Sequence, residues 1–178
     1  SSSEMLTSYG SCESDSVWLV GHRIDSYDFI VILIDENGVS VKTQNLPTPT
    51  KLGSPISIGG NFGKGSMDFS PDGSKLALTG DWPIGTHIMD FNIKTGQLST
   101  PKELLYLPRI NDYNFISSFN GYSVEFSPDG SKLYGTIVSP NQMVQFDLEK
   151  DTSYTLPESF NAASLEKGPD GNIYVAKV

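Results

Sequence analysis

Cysteine is all but missing from this sequence. Cys12 stands alone among 178 residues, so no disulfide can form within the chain. The redox compartment is left open, and nothing beside Cys12 poises a thiolate. Cations are scarce as well: 12 Lys and Arg stand against 21 Asp and Glu, for a net charge of −9. No run of Lys and Arg occurs, and without a basic footprint nucleic-acid binding is excluded from the expectations. No stretch reaches the roughly 18 consecutive apolar residues of a membrane-crossing helix, so direct membrane insertion is not expected either. A signal-peptide pattern does not open the sequence, although Ser1 need not be the natural start. Nucleophile elbow, phosphate loop and metal-hydrolase signatures are absent too.

What is abundant points one way. Seventeen Gly and 11 Pro break the chain at short intervals, and the segments between them are rich in β-branched and aromatic residues. That is the texture of an all-β protein. One stretch recurs: Phe69-Ser70-Pro71-Asp72-Gly73-Ser74-Lys75-Leu76 returns unchanged as Phe126 to Leu133. A worn copy, Gly168-Pro169-Asp170-Gly171-Asn172-Ile173, closes the chain. Pro presets the first corner of a turn, Asp hydrogen-bonds the backbone two residues on, and Gly accepts positive φ. The three Asp residues are therefore read as turn-makers, not calcium ligands.

The turns lie 57 and then 41 residues apart, which suits propeller blades of four strands. Strands are expected at 4–11, 17–20, 29–34 and 39–43, then at 66–69, 75–79, 87–93 and near Leu98. Further strands are expected at 122–126, 132–138, 143–148, near 154–156, at 163–167 and at 173–178. The fold class is all-β, a β-propeller, with residues 1–178 forming part of a single propeller domain. Its units run about 4–52, 64–105, 121–160 and an incomplete 163–178, with an insertion at 106–120. That is an incomplete ring of about 3.5 four-stranded blades, so remaining blades or domains of a longer polypeptide are expected partners.

The order of the units resembles the N-terminal propellers (WD-repeat or YVTN-like) of Bacteroidota surface proteins that carry a type IX secretion (type B, gliding-associated) sorting domain. The likeness rests on Glu4-Met5-Leu6-Thr7, on Val17 to His22, on Asp35 to Ser40 and on the two repeated turns. Gln145-Phe146-Asp147-Leu148 and Leu165 to Ala176 complete it. The resemblance implies an exported life at the bacterial cell surface. It carries over no catalytic residues.

Candidate chemistry is placed by aligning the turns. Asp68, Glu125 and Glu166 each fall four residues before the turn Asp, at one position of successive blades. On the innermost strand they would approach the central channel, where such a column would hold a cation; pairing with Lys75 and Lys132 is the plainer account. No cofactor is expected beyond a divalent cation at that place. His22 and His87 are expected between the second and third strands of their blades, near Asp25, Asp28 and Asp81, and are read as structural rather than metal-binding. Trp18 lies inside a strand and reads as core. Trp82, Asp112, Tyr113 and Phe115 are the candidates for ligand binding, because they fall on loops.

Two functional expectations follow. The leading one is a non-catalytic scaffold, secreted or displayed on the cell surface, that binds a protein or glycan. The alternative is a propeller enzyme of lactonase or lyase type with a cation at the channel mouth.

Overall fold

A computed structural model describes residues 2–10, 15–23, 26–46, 65–80, 85–104, 121–138, 141–156 and 162–177. All of its elements are strands. The first sheet contains β1 (Ser2–Gly10), β2 (Val17–Arg23), β3 (Asp28–Asp35) and β4 (Gly38–Asn45), antiparallel and in sequence order. The second has β5 (Gly65–Phe69), β6 (Lys75–Gly80), β7 (Gly85–Asn92) and β8 (Gln97–Leu98), with β9 (Lys102–Glu103) also pairing β7. The third has β10 (Gly121–Phe126), β11 (Lys132–Val138), β12 (Asn141–Asp147) and β13 (Thr152–Thr155). A two-stranded sheet, β14 (Ala162–Lys167) and β15 (Ile173–Lys177), completes the described residues. This is a partial propeller of meander blades, as the repeat spacing predicts.

Each repeated turn is built as its residue types require. Gly73 and Gly130 have φ of 69° and 70°. Asp72 Oδ1 accepts from the Ser74 amide at 3.0 Å and the Ser70 hydroxyl at 2.6 Å; Asp129 does the same with Ser131 and Ser127, at 3.0 and 2.6 Å. Ser127, Ser131 and the Ser131 amide hold the Asp129 carboxyl down at about 2.

The blades stack face on face, and each has a leading face towards the preceding blade and a trailing face towards the next. Trp18, Val20, Phe29 and Val31 form the trailing face of the first blade and pack on Met67, Leu76, Met89 and Phe91 of the second. Trp18 is core, as expected: its ring meets Phe91 edge-on at 5.5 Å and its Nε1 donates to the Ile93 carbonyl at 2.9 Å. The second gap sets Ala77 and Ile88 against Val124, Phe126, Leu133 and Phe146; the third sets Met143 and Tyr134 against Leu165 and Ile173. Period-2 alternation produces this two-faced burial, since successive side chains leave opposite sides of a strand.

The two histidines correct an expectation. Neither sits in a connector: His22 lies in β2 and His87 in β7, both buried. By alternation with Trp18 and Val20, His22 belongs to the trailing face of the first blade. His87 belongs with Met89 and Phe91 to the leading face of the second.

Candidate active site

The first strands of the blades, β1, β5, β10 and β14, run side by side around the axis. An inner strand pairs with its own blade on one edge only, so alternate N–H groups on the other edge need partners. Side chains of the preceding blade supply them. Val124 N–H donates to Ser66 Oγ at 2.8 Å, Phe126 N–H to Asp68 Oδ2 at 2.9 Å, and Leu165 N–H to Ser123 Oγ at 3.0 Å.

Within this belt the structure brings Asp68 and Glu125 together. Each carboxyl acts on the other, and Glu125 Oε1 accepts from Lys167 Nζ at 3.0 Å. Glu125 is buried and Lys167 about a third exposed. Burial, and next the charge of Asp68, push the Glu125 carboxyl up to about 7 against the opposing pull of Lys167. Burial also raises Asp68, while the Phe126 amide and the Lys167 ammonium work in the other direction. Both carboxyls are thus harder to ionise than usual, and Glu125 titrates close to neutrality.

Lys167 is the residue that motif reasoning passed over, although its signal was present. Counted back from the turn, Lys167 stands where the earlier blades have Phe69 and Phe126. Those rings are buried on the leading faces of their blades. In the fourth blade the same position presents an ammonium to the trailing face of the third, where Glu125 waits.

The third carboxylate does not join. Glu166 is exposed, because β14 turns Leu165 and Lys167 towards the third blade and Glu166 away from it. Among the described residues no group of three or more His, Cys, Asp and Glu gathers as a metal site. The plainer pairing also fails, for a register reason. Lys75 lies opposite Asp90 across β6 and β7, with Nζ to Oδ1 at 2.8 Å, and Lys132 lies opposite Asp147 across β11 and β12, at 3.3 Å. Asp28 makes a 3.6 Å ion pair with Arg23. Trp82, Asp112, Tyr113, Phe115, Asp25 and Asp81 lie outside the described residues.

No family model matches the chain, and no curated protein matches it. Solved structures do. A candidate 6-phosphogluconolactonase from Bacteroides uniformis aligns with a TM-score of 0.57 at 15% identity, over 97% of this chain and 49% of that one. Another from Bacteroides fragilis aligns with a TM-score of 0.51 at 14% identity, over 85% and 37%. The periplasmic gluconolactonase of Pseudomonas aeruginosa aligns with a TM-score of 0.51 at 17% identity, over 84% and 38%. At such identities the likeness shows the fold, and the chain spans half or less of each of these proteins. Two come from Bacteroides species, in keeping with the coarse part of the sequence resemblance. They also correct the leading functional expectation. These three propellers are described as lactonases, not as binding scaffolds, so the expectation of a non-catalytic scaffold is set aside.

Proposed function

We propose that this chain is part of a lactonase-type propeller hydrolase acting on a sugar lactone, with Asp68, Glu125 and Lys167 as its acid–base centre. The observation that carries the reading is the buried Glu125 carboxyl at the inner strands, raised by burial and by the nearby Asp68 and paired at 3.0 Å with a lysine that replaces a core phenylalanine. The lactonase neighbours support the substrate class.

Opening a lactone requires a base for water, a partner for the developing oxyanion and an acid for the leaving ring oxygen. The Asp68 carboxylate takes a proton from water as its oxygen bonds to the carbonyl carbon. The Lys167 ammonium faces the oxyanion so formed. The Glu125 carboxylic acid then gives its proton to the ring oxygen as the C–O bond breaks, releasing the hydroxy acid. The proton on Asp68 then returns to Glu125, which restores the pair. No cation is required by this scheme, because Lys167 supplies the positive charge.

An extracytoplasmic setting belongs to the same proposal, supported by the periplasmic neighbour and by the sequence resemblance. The type IX route and surface display rest on the resemblance alone.

The test is hydrolysis of glucono-1,5-lactone by the complete natural polypeptide and by its Glu125→Gln and Asp68→Asn variants. Loss of a general acid or base is expected to lower kcat by about 10²-fold or more, with the β-sheet circular-dichroism spectrum retained. Unchanged kcat in both folded variants would exclude the pair from the chemistry.

A further inference from the structure

The gap between the third and fourth blades is filled differently from the gap before it. Glu125 lies opposite Tyr134 across β10 and β11, so both leave the trailing face of the third blade. In the second blade the same two places hold Asp68 and Ala77. On the facing surfaces, Phe126 stands in the third blade where Lys167 stands in the fourth. Ala77 is fully buried in the cluster that contains Phe126. Tyr134 packs instead with Leu165 and with Ile173, the residue opposite Lys167 across β14 and β15. One gap sets a small residue against a ring. The next sets a ring against a lysine.

The exchange has a physical reason. A lysine in the place of a buried phenylalanine leaves ring-sized volume to fill, and a close-packed gap tolerates neither a void nor an excess. The lysine stem is also flexible, and it settles along apolar surface while its charged head finds a partner. That head is 3.0 Å from Glu125 Oε1, although the side chain is 30% exposed and water is within its reach. Side chains opposite each other on one face of an antiparallel pair begin about 5 Å apart. A stem that crosses the gap to Glu125 therefore runs beside the ring of Tyr134.

We infer that Tyr134 is the positioning residue of the site: its ring walls the Lys167 stem and holds the ammonium on Glu125. The packing stands on the fold alone. Its bearing on turnover rests on the acid–base role proposed for Glu125.

A cycle of thermal midpoints in the complete natural polypeptide tests the packing, at pH 5, where the Glu125 carboxyl, titrating at about 7, carries its proton. Tyr134→Ala opens a void beside the stem, and Lys167→Phe forces two rings into one gap, so each lowers the midpoint. The double variant rebuilds the arrangement of Ala77 and Phe126. Its midpoint is expected to exceed that of both single variants by about 2 °C or more. Losses that simply add would overturn the inference. Hydrolysis of glucono-1,5-lactone then reads the positioning. Tyr134→Phe should keep kcat, whereas Tyr134→Leu should lower it about 10-fold with KM within about twofold of the parent. The double variant should stay inactive despite its recovered stability. A Tyr134→Leu protein with the parent's kcat would overturn the positioning role. A parent that opens no lactone while the midpoints couple would instead sink the acid–base reading and leave the packing of Lys167 on Tyr134 upheld.

Discussion

Lys167 shows how one residue can depart from a repeat to create chemistry. At that position Phe69 and Phe126 fill the gap to the preceding blade, whereas Lys167 brings a charge that burial would penalise were Glu125 not 3.0 Å away. Lys167→Met should leave the fold intact and remove the influence that lowers Glu125, so its carboxyl rises above about 7. The basic limb of the kcat profile, which reports loss of the Glu125 proton, then moves to higher pH while kcat falls. A pH–rate profile of the variant against the parent reads both effects.

His87 makes the opposite contribution to stability. Burial holds its imidazole down at about 4, against an ordinary value of 6.5. Among the described residues its Nδ1 has no hydrogen-bond partner. The unfolded chain therefore binds a proton more readily. The neutral ring's stabilisation is complete above pH 6.5 and is lost progressively as pH falls towards 4, by on the order of 3 kcal/mol in all. Glu125, raised to about 7 from 4.5, works in reverse: its protonated form stabilises the fold below 4.5, and that gain is lost as pH rises through 7. Thermal midpoints measured at pH 5 and 7.5 should separate the two. His87→Leu should flatten the acid-side loss, and Glu125→Gln the loss on approaching neutrality.

At the scale of elements, the repeated turn was legible because its causes are local. Pro, Asp and Gly at fixed offsets dictate the corner whatever surrounds it. Its tertiary setting is another matter, and the glycines reveal it. A Cβ at Gly73 would strike the ring of Tyr9 from the first blade, whereas at Gly130 it would meet Pro71 Cδ at an ordinary 3.5 Å. Gly73→Ala should therefore destabilise clearly more than Gly130→Ala, where positive φ alone costs about 1 kcal/mol. Urea midpoints of the two variants check the ranking. The hairpin after β3 is set by more than its letters. Asp35 pairs with Gly38, so Glu36 and Asn37 form the loop, and the Asn37 amide bonds Asp35 Oδ1 at 2.8 Å. Strand pairing beyond the turn sets that choice, and the four letters alone do not contain it.

Across the whole molecule, the sequence yielded the blades through repetition and half of the candidate site through alignment. Asp68 and Glu125 were found because they occupy one position in consecutive blades. That symmetry also misled, since it predicted a column of three carboxylates. Each of them reaches for the next blade, so Asp68 meets β10, Glu125 meets β14, and Glu166 looks out of the stack. Identical residues at equivalent positions need not converge; a pair forms where one side chain's target lies beside the next. His22 was misplaced because a short apolar core leaves a strand's end undefined and β2 runs on to Arg23, whereas His87 falls inside β7, at the edge of the strand expected at 87–93.

Central to the proposed chemistry is a carboxyl at the inner strands whose titration is raised towards neutrality. Carbon-13 NMR titration of the glutamate side chains in the complete polypeptide, with Glu125 assigned through Glu125→Gln, measures that directly. The predicted result is a carboxyl resonance titrating at about 7 that moves to lower pH in Asp68→Asn, where the neighbouring negative charge that helps to raise it has been removed. A Glu125 resonance titrating at its ordinary value of 4.5, unmoved by Asp68→Asn, would contradict the pair and the acid–base role built on it.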